Sequence, residues 1–135
     1  MALFDAIGIA GSGVTVYRKW LDAVSDNIAN VNTVRPTSGE AFRARYVVAR
    51  AVDYGAGTGG VVVGGIALGD PAGRLVYDPQ HPLADAQGMV RLPDIDLASQ
   101  MTQLIMAQRG YQANLAVVTR ARDAYQAAIG LGRSA

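Results

Sequence analysis

Two arrays of apolar residues at heptad spacing, one at each end of the chain and separated by a stretch rich in proline and glycine, constrain this sequence most. In residues 1–34 the sets Ile7, Val14, Leu21, Ile28 and Ala10, Tyr17, Val24, Val31 each recur every seven positions, one set three residues after the other. These are the a and d positions of a coiled-coil heptad. A helix over this span is roughly 40 Å long. In residues 94–135 the pattern returns as Leu97, Leu104, Tyr111, Val118, Tyr125 and as Met101, Gln108, Leu115, Arg122, Ile129, with alanine filling between them. Asp94 and Asp96 stand where a helix start favours acids, and Gly130 and Gly132 where a helix stops.

Residues 35–93 cannot continue either helix, because they hold all five prolines and most of the glycines. Phe42, Ala44, Tyr46 and Val48 alternate with Arg43, Arg45 and Val47, a strand pattern with one apolar face. Residues 61–63 and 66–68 read as short β segments broken by Gly64 and Gly65, and residues 74–77 as another, stopped by Asp78 and Pro79. The expected fold is therefore α+β. Long N- and C-terminal helices (1–34 and 94–135) pair as an antiparallel coiled coil, with a small β-rich, loop-containing central module (35–93) between them. Two readings follow. In one, the helices form an ordinary hairpin whose seams bury only each other. In the other, they need further partners. Gly8, Gly11 and Gly13 each cost about 1 kcal/mol against alanine inside a helix. Gln108 and Arg122 at seam positions lower stability while fixing register. Both features favour helices that order fully only in an assembly.

Composition removes several kinds of chemistry. Half of the residues are hydrophobic, which suffices for a core, and a net charge of +1 gives no general attraction to nucleic acid or an anionic membrane. Without cysteine there is no disulfide, thiolate nucleophile or Cys-ligated zinc. No basic region precedes the first apolar residues, and no run of about 18 apolar residues occurs, so neither a secretory signal nor a membrane span is expected. On composition alone the expected location is the cytoplasm.

Gly55 to Gly60 is glycine-rich, but Val61, Val62 and Val63 follow it where a phosphate loop needs a helix; a hairpin or linker is expected. His81, the single histidine, lies in a turn-rich stretch without a nucleophile elbow, so a hydrolase using Ser, His81 and Asp has no pattern behind it. One histidine among scattered aspartates is also a poor metal site. Asp94 and Asp96 fit helix capping better than a catalytic carboxylate pair. The stretch Arg35–Arg50, with Phe42 and Tyr46 interleaved, supports an alternative function as a polyanion or nucleic-acid binding module. No enzyme activity, cofactor, metal, small-molecule substrate or nucleic-acid partner is otherwise expected.

The amides give the sequence its family. Asp26-Asn27-Ile28-Ala29-Asn30-Val31-Asn32-Thr33 resembles the N-terminal signature shared by bacterial flagellar rod, hook and related axial proteins. The segment from Met101 to Asn114, Met-Thr-Gln-Leu-Ile-Met-Ala-Gln-Arg-Gly-Tyr-Gln-Ala-Asn, resembles the matching C-terminal signature. Residues 74–82, 85–88 and 91–93 are similar to the proximal-rod branch of that family. Three positions depart from the family pattern: Asp26 where asparagine is common, Gln100 where glutamate commonly precedes the methionine, and Gly110 where alanine is usual.

The resemblance implies a structural subunit of the basal-body rod, the torque-transmitting drive shaft, with the terminal helices forming the coiled-coil inner layer of a helical tube. It implies a location in the flagellar basal body, in the periplasm-spanning rod. The route there is the flagellar type III export apparatus, without a cleaved signal peptide. Implied partners are other copies of itself, the other proximal-rod and distal-rod proteins, and the export gate–rod adaptor. The expected assembly interface then joins Ile7, Val14, Tyr17, Leu21, Val24, Ile28 and Val31 with Leu97, Met101, Leu104, Gln108, Tyr111, Leu115, Val118 and Tyr125. The amides Asn27, Asn30, Asn32 and Asn114 complete it.

Overall fold

The computed structural model describes residues 2–133. Its elements are α1 (Ala2–Ala29), β1 (Arg45–Gly55), β2 (Thr58–Leu68), β3 (Arg74–Tyr77), β4 (Met89–Leu92) and α2 (Leu97–Arg133). The class is α+β: a long helix at each end and a small β region between. The strands form two two-stranded sheets, β1 with β2 and β3 with β4. The chain gathers into two compact units. The first comprises Met1–Leu21, Val48–Gly65 and Met106–Ala135; the second comprises Asp22–Val47 and Ile66–Ile105.

In the first unit the buried residues are small. Ala10, Gly13, Val16, Ala107 and Ala121 are buried, with Ile7, Val14 and Tyr17 partly buried beside them. Small residues let the two helical segments approach closely, and the contacts run antiparallel. The Phe4 and Tyr125 rings meet edge-on with centroids 5.3 Å apart. Further along, Asn114 packs on Gly13 and Tyr17 packs on Gly110. The tip of the β1–β2 hairpin turns through Ala56 and Gly57, whose φ angles of 54° and 78° carry the signature of a type I′ turn. Asp53 accepts a hydrogen bond from the Gly55 N–H at 2.7 Å, and the Thr58 hydroxyl donates to the Gly55 carbonyl at 2.7 Å. Ser12 then fastens this hairpin to α1. Its Oγ donates to the Ile9 carbonyl at 2.6 Å and accepts the Val61 N–H at 3.0 Å. Gly60 permits this approach, since a Cβ there would lie 2.5 Å from Ser12 Oγ.

In the second unit α1 ends at a cap. The Asn30 side chain donates to the Asp26 carbonyl at 2.8 Å and accepts from the Thr33 hydroxyl at 3.1 Å. That satisfies carbonyl groups left open at a helix end. Residues Arg35 and Arg91 exchange main-chain hydrogen bonds as an isolated antiparallel bridge. β3 and β4 pair antiparallel, Val76 opposite Val90 and Tyr77 opposite Met89. Val90 is only 1% exposed. The loop between them is organised by Asp85, which accepts the N–H groups of Gln87 and Met89, each at 2.9 Å, and the Thr37 hydroxyl at 2.9 Å. Asp96 opens α2 by accepting the Ser99 N–H at 3.0 Å, as an N-cap does.

Several boundaries differ from expectation, each for a local reason. The first helix stops at Ala29, five residues before the expected end, because the Asn30 cap and a turn intervene. The strand expected from Phe42 starts at Arg45 instead. Ala41, Arg43 and Ala44 are committed to other bonds, to Pro71, Gly69 and Gly69 respectively. The expected break at Gly64 and Gly65 is absent, and β2 runs through both. The second helix continues through Gly130 and Gly132 to Arg133. β4 has no counterpart in the sequence reading.

Two predictions follow from these details. Ala56 holds a positive φ that disfavours an L-residue by about 1 kcal/mol. Ala56→Asn should slow hydrogen exchange of the hairpin amides by roughly fivefold, while unchanged exchange would show that the turn is not strained. The Asp85 carboxyl is held below the ordinary aspartate range, chiefly by the Met89 N–H, with Thr37 and Gln87 helping and partial desolvation opposing. A lowered folded-state pKa means its contribution is complete above the ordinary value and disappears as pH falls through the lowered one. Thermal melts of the wild type should lose stability more steeply than those of Asp85→Asn as pH falls below the ordinary aspartate range of about 4.

Candidate assembly interface

The amides of the two signatures do not all face outward. Asn27 is fully buried, and its hydrogen-bonding groups are used inside the second unit. Its Oδ1 accepts the Arg45 N–H at 2.7 Å, and its Nδ2 donates to the Arg45 carbonyl at 2.9 Å and to Gln100 Oε1 at 3.0 Å. The side-chain amide thus engages Arg45 as a neighbouring strand would, and reaches α2 with its remaining proton. Val24, one turn earlier, is only 1% exposed. Val24 and Asn27 are therefore taken up within the single chain. Asn30 is spent on its cap. Asn32 is exposed, with no hydrogen bond among the described residues.

The seam on α2 is displaced by one position from the expected register. Leu104, Tyr111 and Val118 are partly buried as anticipated. Their seam companions are Gln100, Ala107, Asn114 and Ala121, not Met101, Gln108, Leu115 and Arg122, which are exposed. Leu97 and Tyr125 are exposed as well. The physical reason lies in two reciprocal notches. A Cβ on Gly13 would sit 2.5 Å from Asn114 Oδ1, and one on Gly110 would overlap the Tyr17 ring. Asn114 is held in place by donating to the Gly110 carbonyl at 2.8 Å. Each helix supplies a glycine that receives a larger side chain of the other, so small residues and amides lie inside while bulkier apolar ones face out.

From Leu97 to Thr119, α2 carries a single charge, Arg109. Around it Met101, Ile105, Met106, Leu115 and Val117 are exposed, Ile105 and Met106 by more than half, with Leu115, Met101 and Ile105 on one flank of Arg109 and Met106 and Val117 on the other. Ile105, Met106 and Val117 were missed in the sequence because they belong to neither heptad set; the absence of charge around the helix was the signal available. In α1, Ile7, Val14, Tyr17, Leu21 and Ile28 are partly exposed, as is Val31 in the turn that follows it.

The other constellations are absorbed into structure. Arg43 Nε donates to the Gly69 carbonyl at 2.9 Å and Arg45 is ion-paired with Asp26, which engages two of the four arginines of the stretch within the chain. His81 Nδ1 accepts the Leu83 N–H at 3.1 Å within a turn. Among the described residues no group of three or more His, Cys, Asp or Glu side chains is placed to hold a metal, and no helix is long and apolar enough to cross a membrane.

Two family models match the segments that form the helices. The flagella basal body rod protein model covers residues 7–37, and the flagellar basal body rod FlgEFG protein C-terminal model covers residues 86–131. Over nearly the whole chain the sequence is 36% identical to the flagellar basal-body rod protein FlgC of Escherichia coli O6:H1, covering 98% of this chain and 100% of that one. The FlgC of Yersinia enterocolitica is 38% identical with the same coverage. That of Borreliella burgdorferi is 34% identical over 97% of this chain and 98% of its own. The chain belongs to the FlgC family of flagellar basal-body rod proteins. In this FlgC-family chain the three departures from the family pattern share one property. Asp26 pairs with Arg45, Gln100 accepts from Asn27, and Gly110 receives Tyr17, so each is tied to a contact within the chain.

Asn27→Ala would remove the partner of the part-buried Arg45 N–H and carbonyl and of the buried Gln100 side chain. It should destabilise the folded chain by about 2–4 kcal/mol, read by urea unfolding. A loss under about 0.5 kcal/mol would mean that water replaces the amide.

Proposed function

We propose that this structural rod subunit builds the proximal rod by burying the outward apolar face of α2 against neighbouring subunits, other copies of itself among them. The observation that carries this reading is apolar side chain left uncovered on α2: Met106, Leu115 and Val117 are 55%, 44% and 46% exposed along a stretch whose single charge is Arg109. Burying such surface is worth about 25 cal/mol per Å² before the costs of association.

The remaining parts of the reading follow from membership of a rod family. The partners are the other proximal-rod and distal-rod proteins and the export gate–rod adaptor. The chain leaves the cytoplasm through the flagellar type III export apparatus without a cleaved signal and takes its place in the periplasm-spanning rod. It acts by shape and adhesion and not by catalysis. A core built largely from alanine suits passage through a narrow export channel, since little apolar burial is lost on unfolding.

Ile105→Asp and Leu115→Asp separate assembly from folding, because both side chains are exposed in the single chain. Each variant should keep its unfolding midpoint within about 0.5 kcal/mol of wild type. Each should nevertheless abolish swimming and be missing from isolated basal bodies. Leu21→Asp and Leu104→Asp, at partly buried positions, should block incorporation too, with some loss of stability. Normal motility with folded Ile105→Asp and Leu115→Asp subunits would overturn the reading.

A further inference from the structure

The β3–β4 sheet leaves one edge open, and the hydrogen bonds around it show which main-chain groups lie there. Arg91 gives both its N–H and its carbonyl to Arg35, on the side of β4 away from β3. Main-chain groups of successive strand residues point to opposite sides, so Val90 and Leu92 are the β4 residues that bond to β3. Val76 stands opposite Val90 and Arg74 opposite Leu92, so the even-numbered residues of β3 bond inward. The Asp78 N–H continues the series to the Gly88 carbonyl at 2.9 Å. Leu75 and Tyr77 therefore aim their N–H and carbonyl groups away from β4. Among the described residues nothing bonds to them. Their side chains share one face and are 53% and 69% exposed. Arg74 is exposed and Asp78 half-buried, and neither side chain has a hydrogen bond or ion pair among the described residues. Pro79, without an N–H, ends the edge.

We propose that this edge pairs with the same edge of a second copy, β3 against β3, antiparallel and centred on Val76. Residues 74–78 read Arg-Leu-Val-Tyr-Asp, and reversing the strand sets Arg74 opposite Asp78, Leu75 opposite Tyr77 and Val76 opposite itself. This register meets the bonding pattern: Leu75 and Tyr77 both face outward, and each such pair exchanges both N–H···O bonds. It also sets an aliphatic side chain beside an aromatic one, and an unpaired cation beside an unpaired anion at each end, both favourable cross-strand neighbours. A slip of one residue sets an outward-bonding residue against an inward-bonding one. A slip of two sets Leu75 on Leu75 or Tyr77 on Tyr77 and loses both ion pairs. The pairing joins the two-stranded sheets of two copies into one. A foreign strand would have to bring the complementary pattern, whereas a second copy already carries it. The pair uses the same surface on both copies and closes at two. It is a state of the unassembled chain, separate from the α2 contacts proposed to build the rod.

The test uses the full-length chain carrying Ile105→Asp, which keeps α2 from contributing to association. To it is added Arg74→Asp or Asp78→Arg, and circular dichroism confirms that each chain is folded. Sedimentation equilibrium from about 10 µM to about 1 mM reads the dimer. The chain with neither addition should form dimers and no larger species, and exchange of its Leu75 and Tyr77 amides should slow about tenfold across that range. Arg74→Asp or Asp78→Arg alone sets like charges opposite each other at both ends and should weaken association about tenfold. An equimolar mixture of the two restores an opposite pair at each end and should recover the original association. A chain that stays monomeric at about 1 mM would overturn the inference and leave the edge to a strand of another protein. Exchange of Leu75 and Tyr77 that ignores concentration would overturn it too, as would reversed forms that pair as before or a mixture no tighter than its components. None of those results touches the rod-subunit reading, whose own test is motility of the Ile105→Asp and Leu115→Asp chains.

Discussion

The amide of Asn27 is the group on which the second unit is organised. Buried polar groups are tolerated only when bonded, and here one side chain meets a strand residue through both of that residue's main-chain groups while also bonding a helix residue. An apolar residue of similar size would leave the part-buried Arg45 N–H and carbonyl without this partner. An aspartate would keep one bond, lose two and add a buried charge. Asparagine satisfies the site because it offers an acceptor and two donors in one plane. Arg45 is in turn fixed on the outside by its ion pair with Asp26. The start of β1 is thus held from both sides, and its strand cannot begin at Phe42 as alternation alone suggests.

The same preference for small and amide residues explains what could and could not be read from the chain. Both long helices, the α+β class, the hairpin at Gly55 to Gly60 and the capping role of Asp96 were legible, because periodicity and end signals are local. The seam partners on α2 were not. Hydrophobicity pointed to Met101 and Leu115, whereas the inner positions are Gln100, Ala107, Asn114 and Ala121. A heptad search assumes that the largest apolar residues point inward, and it fails where close packing selects glycine, alanine and asparagine instead. Gly13 and Gly110 carried the missing signal. Glycine inside a helix is unfavourable unless something occupies the space it leaves, and Asn114 and Tyr17 occupy it.

Amides in a family signature invite a functional assignment, and the four in this chain show how unevenly that works. Asn27 is internal, Asn30 is a helix cap, Asn114 fills a notch and Asn32 alone is exposed. Three of the four are explained by the folded chain itself. The surface proposed to meet neighbours is instead the exposed apolar part of α2, to which the C-terminal signature contributes Met101, Ile105 and Met106. For a rod subunit this division is economical in a physical sense: hydrogen bonds, which are directional, fix the single chain, and non-directional apolar contact is left for packing between chains.

That division also sets the balance between folding alone and folding in company. A seam of alanine and glycine brings helices close but removes little apolar area from water, so the single chain gains modestly from its own core. The larger side chains displaced outward, Met101, Ile105, Met106, Leu115 and Val117, gain nothing until a neighbour covers them. Moving bulk from the inside of the seam to its outside therefore weakens the isolated subunit and strengthens the assembled one by the same choice of residues. Replacing Gly13 or Gly110 with bulk to stabilise the monomer would push the helices apart and alter the spacing of that outer face. Under the proposed reading, stability of the free chain and fit within the rod oppose each other, and the glycine notches fix the compromise.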